Sequence, residues 1–86
     1  MAFVEWSSDA LEDLERIDFV IAQRIASKVT WLSENFSSIV PERLERDLAG
    51  LYKLRVGDYR AVYSIRGEII SIQAAGHRRD IYRKFG

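Results

Sequence analysis

Three basic side chains lie close together in the segment LYKLRVGDYRAVY, residues 51–63. Lys53 and Arg55 are two positions apart, and Arg60 follows five residues later. In a β-strand, residues i and i+2 project from the same face, with their Cα atoms about 7 Å apart. Successive phosphates along RNA have a similar spacing, so this pair would suit the two sides of one phosphodiester linkage.

A second group of reactive side chains follows Gly76, near the end of the chain. His77, Arg78 and Arg79 come directly after this glycine, and Tyr82 follows three residues later. Because His77, Arg78 and Arg79 leave the end of a predicted strand, their side chains can lean back over the sheet edge. Arginine is too basic to lose its proton, so the role of the arginines would be electrostatic.

These residue types suit the cleavage of RNA by its own 2′-hydroxyl. That reaction needs a base for the 2′ proton, cations for the charge on the phosphorane, and an acid for the leaving 5′ oxygen. His77 and Tyr82 are candidates for moving the proton, as is Lys53, provided that neighbouring cations lower the pKa of Tyr82 or Lys53. We expect no carboxylate on this face, which disfavours a mechanism based on a carboxylate pair.

Each candidate also has an ordinary structural interpretation. Lys53 and Arg55 would be the solvated face of an edge strand, where lysine opposes aggregation. Arg60 could form an ion pair with Asp58 or Asp47. His77 would be a hydrogen-bond partner at a strand end, and Tyr82 a ring that covers the core.

The elements that position these residues begin with a hairpin that turns at Gly57 and Asp58. Alternation places Lys53, Arg55 and Arg60 on one face of this hairpin. Its opposite face carries apolar and aromatic side chains: Tyr52, Leu54, Val56, Tyr59, Ala61, Tyr63 and Ile65.

Two helices are predicted before the hairpin. A short strand over Ala2–Trp6 precedes an amphipathic helix over Ser8–Arg16, for which Ser7 or Ser8 is the N-cap. Asp18 is positioned to cap a longer helix, Phe19–Phe36, and the two helices would be antiparallel.

The remainder of the chain adds a connection, a strand and a tail. Residues 37–50 form the connection, with a turn of helix over 42–44, and a strand follows over 68–75 with Ile70, Ile72 and Ala74 on one face. Residues 77–85 close the chain as a turn of helix or an irregular tail. The order β-α-α-β-β-β predicts an α+β fold, a small antiparallel sheet with both helices on one face and the basic face open.

Composition excludes several classes of protein. At 86 residues the chain is expected to form one domain, 1–86. With no cysteine and one histidine, a structural zinc site or a disulfide framework is excluded, and we expect no cofactor. No apolar run approaches the length of a membrane span and no secretory signal opens the chain, so a cytoplasmic protein is expected.

The net charge of zero conceals a strong asymmetry. Residues 1–42 carry three cations against eight anions, and residues 43–86 carry ten cations against five anions. The mostly helical half therefore has a charge of −5 and the mostly strand half +5. This distribution favours a dipolar domain whose basic side meets a polyanion, although a solvated surface without a partner has the same pattern.

The segment 51–63, followed by EIISIQAAGHRRDIY at 68–82, resembles the RelE branch of the RelE/ParE toxin superfamily of prokaryotic toxin–antitoxin systems. The opening FVEWSSDALEDLERID, residues 3–18, is also similar to the first strand and helix of that family.

The resemblance implies a metal-independent endoribonuclease that enters the ribosomal A site and cuts the mRNA codon there. The products would be a 2′,3′-cyclic phosphate and a 5′-hydroxyl. It also implies a cognate RelB-like antitoxin, an acidic or amphipathic partner that covers or distorts the basic site, with operator DNA bound only through the antitoxin. No membrane partner is expected.

The family's functional positions fall on the residues already singled out. The resemblance implies that the family's cationic pair on the second strand falls on Lys53 and Arg55, and its third-strand arginine on Arg60. The arginine after the last strand falls on Arg78, although its neighbour Arg79 could serve instead. The C-terminal tyrosine falls on Tyr82, which would stack on a base or assist proton transfer. The catalytic set is Lys53, Arg55, Arg60, His77, Arg78 and Tyr82, and the RNA-binding set is Lys53, Arg55, Arg79, Arg83 and Lys84.

One departure bears on the mechanism. Ribosome-dependent members carry two lysines on the second strand, whereas the second position here is Arg55, which cannot act as a base. His77 could supply the proton transfer instead, so the acid and base assignments stay open while the group of cations is kept. Two other functions stay open, a ParE-like toxin that poisons DNA gyrase and a non-toxic module that only binds an antitoxin.

Overall fold

The structure is a computed structural model, and it describes residues 1–45 and 49–85. Within these residues, three α-helices accompany one five-stranded sheet with the strand order β1-β5-β4-β3-β2, which confirms the α+β class. The elements are β1 (Phe3–Trp6), α1 (Ser8–Arg16), α2 (Phe19–Glu34), a 3₁₀ turn (Phe36–Ser38), β2 (Glu42–Arg43), β3 (Tyr52–Val56), β4 (Tyr59–Arg66), β5 (Ile69–His77) and α3 (Arg78–Phe85).

Side-chain caps begin the first two helices. The Ser7 hydroxyl accepts a hydrogen bond from the Ala10 N–H at 3.0 Å, and the Asp18 carboxylate accepts one from the Val20 N–H at 3.2 Å. The predicted bounds of α1 are confirmed, and α2 ends two residues earlier than predicted. No helix in the described part of the chain is long and apolar enough to cross a membrane.

Both N-terminal helices pack against one face of the sheet, and the predicted alternation in the hairpin is confirmed. Tyr52, Val56 and Tyr59 lie against the core under α1 and α2, while Val62 belongs to a separate apolar cluster on the opposite face. The buried members of the main core are Ala2, Ala10, Ile25, Val29, Leu32, Leu54, Ala61, Tyr63, Ile70 and Ile72.

A β-bulge changes the face of one predicted core residue. Val62 pairs with Ala74 while Tyr63 pairs with Ile72, so Gln73 is an extra residue in β5. Ala74 was expected to share a face with Ile72. That expectation is wrong, because the extra residue moves Ala74 to the opposite face, into the cluster with Val62.

The edges of the sheet depart from the predicted pattern. The sheet is not wholly antiparallel, since β1 runs parallel to β5 and pairs Phe3 with Ile69. The predicted helical turn at 42–44 is also wrong, because Glu42 and Arg43 form β2 and pair antiparallel with Lys53 and Tyr52.

Helix α3 covers part of the face that was expected to be open. Ile81 is 3% exposed and packs with Val62, Ala74 and Leu44. The approach is close at Gly76, where an added Cβ would lie 3.6 Å from Ile81 Cδ1. The expectation of a bare basic face is therefore wrong where α3 lies, because Ile81 buries its side chain against the apolar residues of this face.

Candidate functional site

Lys53 and Tyr82 form the centre of the basic face. The Lys53 ammonium donates a hydrogen bond to the Tyr82 hydroxyl at 2.7 Å, and only 12% of the Lys53 side chain is exposed. This hydrogen bond lowers the pKa of the Tyr82 phenol, the nearby Arg60 guanidinium lowers it further, and partial burial opposes both effects. The phenol is therefore a stronger acid than an ordinary tyrosine.

Arg60 is buried beside this pair, with 5% of its surface exposed. Its Nη1 donates to the carbonyl oxygens of Gly57 at 2.9 Å and Tyr59 at 2.8 Å. Its Nε has no hydrogen-bond partner among the described residues. The predicted ion pair with Asp58 is not formed, and Asp47 lies outside the described residues. A buried, unpaired N–H of a cation is costly, and an anionic ligand would satisfy it.

A carboxylate reaches the basic face from β2. Glu42 accepts two hydrogen bonds from Arg55, from Nε at 2.9 Å and from Nη2 at 2.5 Å. Its Oε2 also lies 3.7 Å from Lys53 Nζ. The bond to Arg55 is the main reason that the pKa of Glu42 is lowered, and Lys53 adds to the effect. The expectation that no carboxylate reaches this face is wrong, because Glu42 stands in the strand beside β3.

Arg78 is the first residue of α3 and lies at the end of the sheet where β3 turns into β4. Its backbone N–H donates to the Asp58 carbonyl at 2.8 Å, which ties the helix start to the β3–β4 turn. Helical spacing places Arg78 on the same side of α3 as Ile81 and Tyr82. The Arg78 side chain is exposed, as are three further basic side chains of this helix, Arg79, Arg83 and Lys84.

His77 projects from the other face of the sheet. It pairs with Tyr59, and the two rings meet edge to face with centroids 5.5 Å apart. Its Nδ1 accepts a hydrogen bond from the Arg79 N–H at 3.1 Å. No hydrogen bond among the described residues joins His77 to Lys53, Arg60 or Tyr82. These contacts of His77 agree with its structural interpretation, in which the imidazole is a hydrogen-bond partner at the end of the strand.

The structure thus brings Lys53, Arg60 and Tyr82 into one cluster and attaches Arg55 to it through Glu42. We call these five residues the basic cluster. It combines fixed positive charge with an acidified phenol, which suits binding an anion and moving a proton. Within residues 1–45 and 49–85, no three His, Cys, Asp or Glu side chains are grouped as metal ligands.

Glu42 is the member that sequence reasoning missed. A usable signal was present in Pro41, since proline is accepted at the first position of an edge strand. A strand starting there would have placed Glu42 beside β3.

A comparison of the sequence with models of known protein families identifies the family of this chain. The model described as "ParE toxin of type II toxin-antitoxin system, parDE" matches residues 4–82. The chain belongs to this family. Comparison with curated proteins gives no significant match.

Solved structures show the same toxin fold in RelE proteins. RelBE2 of Mycobacterium tuberculosis, a toxin–antitoxin complex, is 28% identical with a TM-score of 0.77, and the match covers 90% of this chain and 98% of that one. The RelB–RelE complex of Methanococcus jannaschii is 22% identical, with a TM-score of 0.72 and coverage of 94% and 98%. The isolated E. coli RelE toxin is 18% identical, with a TM-score of 0.73 and coverage of 99% and 95%.

These matches confirm the resemblance to the RelE/ParE superfamily, and the RelE-like branch fits the structural neighbours. The chain is therefore a toxin-family member of a type II toxin–antitoxin system.

Proposed function

We propose that this protein is a ribosome-dependent endoribonuclease that cleaves mRNA in the A site and thereby inhibits translation. The observation that carries the proposal is Arg60, a buried cation beside a lysine and an acidified tyrosine, whose Nε finds no hydrogen-bond partner in the part of the chain that the structure describes. A phosphodiester group is the anion that this arrangement would suit. The RelE-like fold of the neighbours adds support.

In the proposed reaction, the 2′-oxygen of the message attacks the adjacent phosphorus as its proton passes to the Tyr82 phenolate. The bond from phosphorus to the 5′ oxygen breaks, and that oxygen takes a proton, for which the Lys53 ammonium is the donor in the cluster. The products are a 2′,3′-cyclic phosphate and a 5′-hydroxyl. Arg60 and Arg78 would stabilise the negative charge that develops on the phosphate oxygens, so the scheme needs no metal.

Tyr82 is preferred over His77 for the proton because of its surroundings. Lys53 and Arg60 stabilise the phenolate, whereas the His77 ring packs against Tyr59 on the other face. Arg55 would contribute charge and phosphate binding only, since arginine keeps its proton. Arg79, Arg83 and Lys84 would bind the RNA backbone from the exposed surface of α3.

Substitution of Arg60 or Arg78 by alanine tests this assignment. After brief induction in cells, 5′ ends of mRNA are mapped for the wild type and for Arg60→Ala, Arg78→Ala and Arg66→Ala. Arg66 is an exposed arginine at the opposite end of β4, so its variant controls for the loss of one charge. We expect in-frame cuts within translated codons for the wild type and Arg66→Ala, and their loss with the other two. Full toxicity of both site variants would refute the proposed site.

We further propose a RelB-like antitoxin as the partner, binding operator DNA on behalf of the complex. The solved neighbours include three RelBE toxin–antitoxin complexes. On this chain, α2 exposes Phe19, Val20 and Trp31, with exposures of 72%, 62% and 40%. A groove of about 660 Å³ beside them is also lined by Arg24 and Lys28, among other residues. Such a surface suits an acidic, amphipathic segment. Co-expression with the neighbouring open reading frame, followed by purification, tests whether a stable complex forms.

The family assignment supports one second candidate, a toxin that poisons DNA gyrase, because the matching family model is that of ParE. Tracking mRNA decay and DNA breakage separately after induction distinguishes the two. Early DNA breaks with intact messages would favour gyrase, and early mRNA cuts without breaks would favour the nuclease. Normal growth on induction would favour a non-toxic antitoxin-binding module.

A further inference from the structure

Glu42 holds Arg55 in the geometry that arginine uses for phosphate. Both carboxylate oxygens accept from the same guanidinium, through Nε and Nη2. Phosphate and carboxylate groups bind this planar fork in the same two-point manner. The Glu42 carboxylate therefore occupies the position on Arg55 that an RNA phosphate would take.

The same carboxylate also meets the second cation of β3. Glu42 Oε2 lies 3.7 Å from Lys53 Nζ, so one negative charge is shared between two positive ones. Arg60 differs from both, since no carboxylate pairs with it within residues 1–45 and 49–85 and its Nε is unpaired. Two of the three strand cations thus have an internal counter-anion, and the third is left for a ligand.

The pairing is accessible enough to be exchanged. The Arg55 side chain is 57% exposed and the Glu42 side chain 44%. Exposed ion pairs contribute little to stability, so a competing anion can replace the carboxylate at small cost. A short rotation of the Glu42 side chain towards solvent would suffice, with no change in the backbone.

We propose that Glu42 is a specificity-determining residue that acts as an internal phosphate mimic. In the free protein it neutralises Arg55 and Lys53, and an RNA phosphate displaces it on binding. The inference rests on the proposed function for the identity of the anion. Its consequence is that Glu42 restrains binding to RNA in general and leaves affinity to be supplied by contacts elsewhere in the complex.

This exchange has a signature in salt dependence. When a cation binds a phosphate of single-stranded RNA, the release of counterions adds about 0.7 to the slope of log K against log salt. In the wild type, the phosphate replaces Glu42 at Arg55, so the two anions exchange and that contribution is missing. Removing the charge of Glu42 should restore it.

The experiment measures binding of a fluorescein-labelled single-stranded RNA of six nucleotides, 2′-O-methylated to block cleavage, by anisotropy at 50–200 mM NaCl. Glu42→Gln should bind about 1.5- to 5-fold more tightly than the wild type, the gain expected for losing an exposed ion pair to a competitor. Its salt slope should be steeper by about 0.7. Thermal unfolding of each variant shows whether the fold is kept.

Two further variants make the result specific. Glu68→Gln removes an equal charge from an exposed position in the β4–β5 turn, outside the basic cluster, and should show a smaller gain and an unchanged slope. In an Arg55→Gln background, Glu42→Gln should lose most of its effect on RNA binding, because the guanidinium for which Glu42 and the phosphate compete has been removed. Equal effects of the two glutamate variants, weaker binding by Glu42→Gln, or no binding of the probe by any variant would each overturn the proposal.

The outcome is separable from that of the nuclease. If Glu42→Gln binds more tightly with the steeper slope while the wild type makes no cuts in mRNA, the phosphate mimic stands and the proposed reaction falls. If cuts are mapped and depend on Arg60, but Glu42→Gln binds no better, the reaction stands and the phosphate mimic falls.

Discussion

At the scale of single residues, the basic cluster depends on contacts between side chains that are far apart in the chain. Lys53 and Tyr82 are separated by 29 positions, yet their polar atoms lie 2.7 Å apart. The face of Lys53 follows from strand alternation and could be predicted. The contact with Tyr82 could not, because it depends on where α3 docks, which local pattern does not specify. Glu42 was missed for the same kind of reason, since its position depends on a pairing between strands.

Tyr82→Phe tests the proposed proton transfer. The change removes the hydroxyl that accepts from Lys53 and keeps the ring that packs in the second cluster. Cleavage should fall by about 10²- to 10⁴-fold, the range typical of a general acid or base, with little loss of stability. Rates are measured on programmed ribosomes in single-turnover reactions.

The control for this variant is Tyr59→Phe, a partly buried tyrosine on the opposite face. The pH dependence gives a second readout. The cationic neighbours lower the pKa of Tyr82 below the usual tyrosine value of about 10. The phenolate fraction and the cleavage rate should therefore rise with pH and level off above this lowered pKa. That rising limb should be absent in Tyr82→Phe. A modest fall shared by both variants would argue against Tyr82 as the base.

At the scale of elements, the two N-terminal helices and the hairpin were predictable, whereas the edges of the sheet and the full length of α3 were not. Ser7 and Asp18 cap α1 and α2 through hydrogen bonds to residues two or three positions away. The starts of both helices can therefore be predicted from the local sequence. The bulge at Gln73 and the parallel strand β1 depend on long-range pairing. The bulge matters for the site because it turns Ala74 towards Ile81 and so helps to seat α3.

Ile81→Ala tests whether the docking of α3 positions the site. Ile81 is 3% exposed, and removing its side chain should cost about 2–5 kcal/mol of stability. It should also loosen Tyr82 from Lys53, which lowers cleavage at a temperature where the variant is still folded. Urea unfolding and a titration of tyrosine absorbance measure the two effects.

The matched control is Ile25→Ala, a fully buried isoleucine of α2 in the other cluster. It should lose comparable stability and leave both the Tyr82 pKa and the cleavage rate of the folded protein unchanged. If both variants lower the cleavage rate equally, stability alone would explain the loss, and the positioning role of α3 would be rejected.

At the scale of the whole molecule, charge is separated along the chain. The half ending at Glu42 has a net charge of −5 and the half after it +5. The basic half supplies β3, β4 and α3, which carry every member of the basic cluster except Glu42 and also the exposed arginines of the C-terminal helix. This asymmetry was readable from composition, and it predicts an electrostatic, salt-sensitive attraction to a polyanion.

Arg79 and Arg83 test this attraction apart from the chemistry. They are four positions apart in α3, so they share one exposed face of that helix. Alanine at both positions should weaken binding of single-stranded RNA uniformly across sequences and reduce the salt slope by about 0.7 for each lost phosphate contact. Cleavage of bound substrate should be unchanged, in contrast to Arg60→Ala. Arg16→Ala, which removes one positive charge from the acidic half, should leave the salt slope as it is. If instead Arg16→Ala reduces the slope as much per charge, net charge and not the basic face of α3 would govern the attraction.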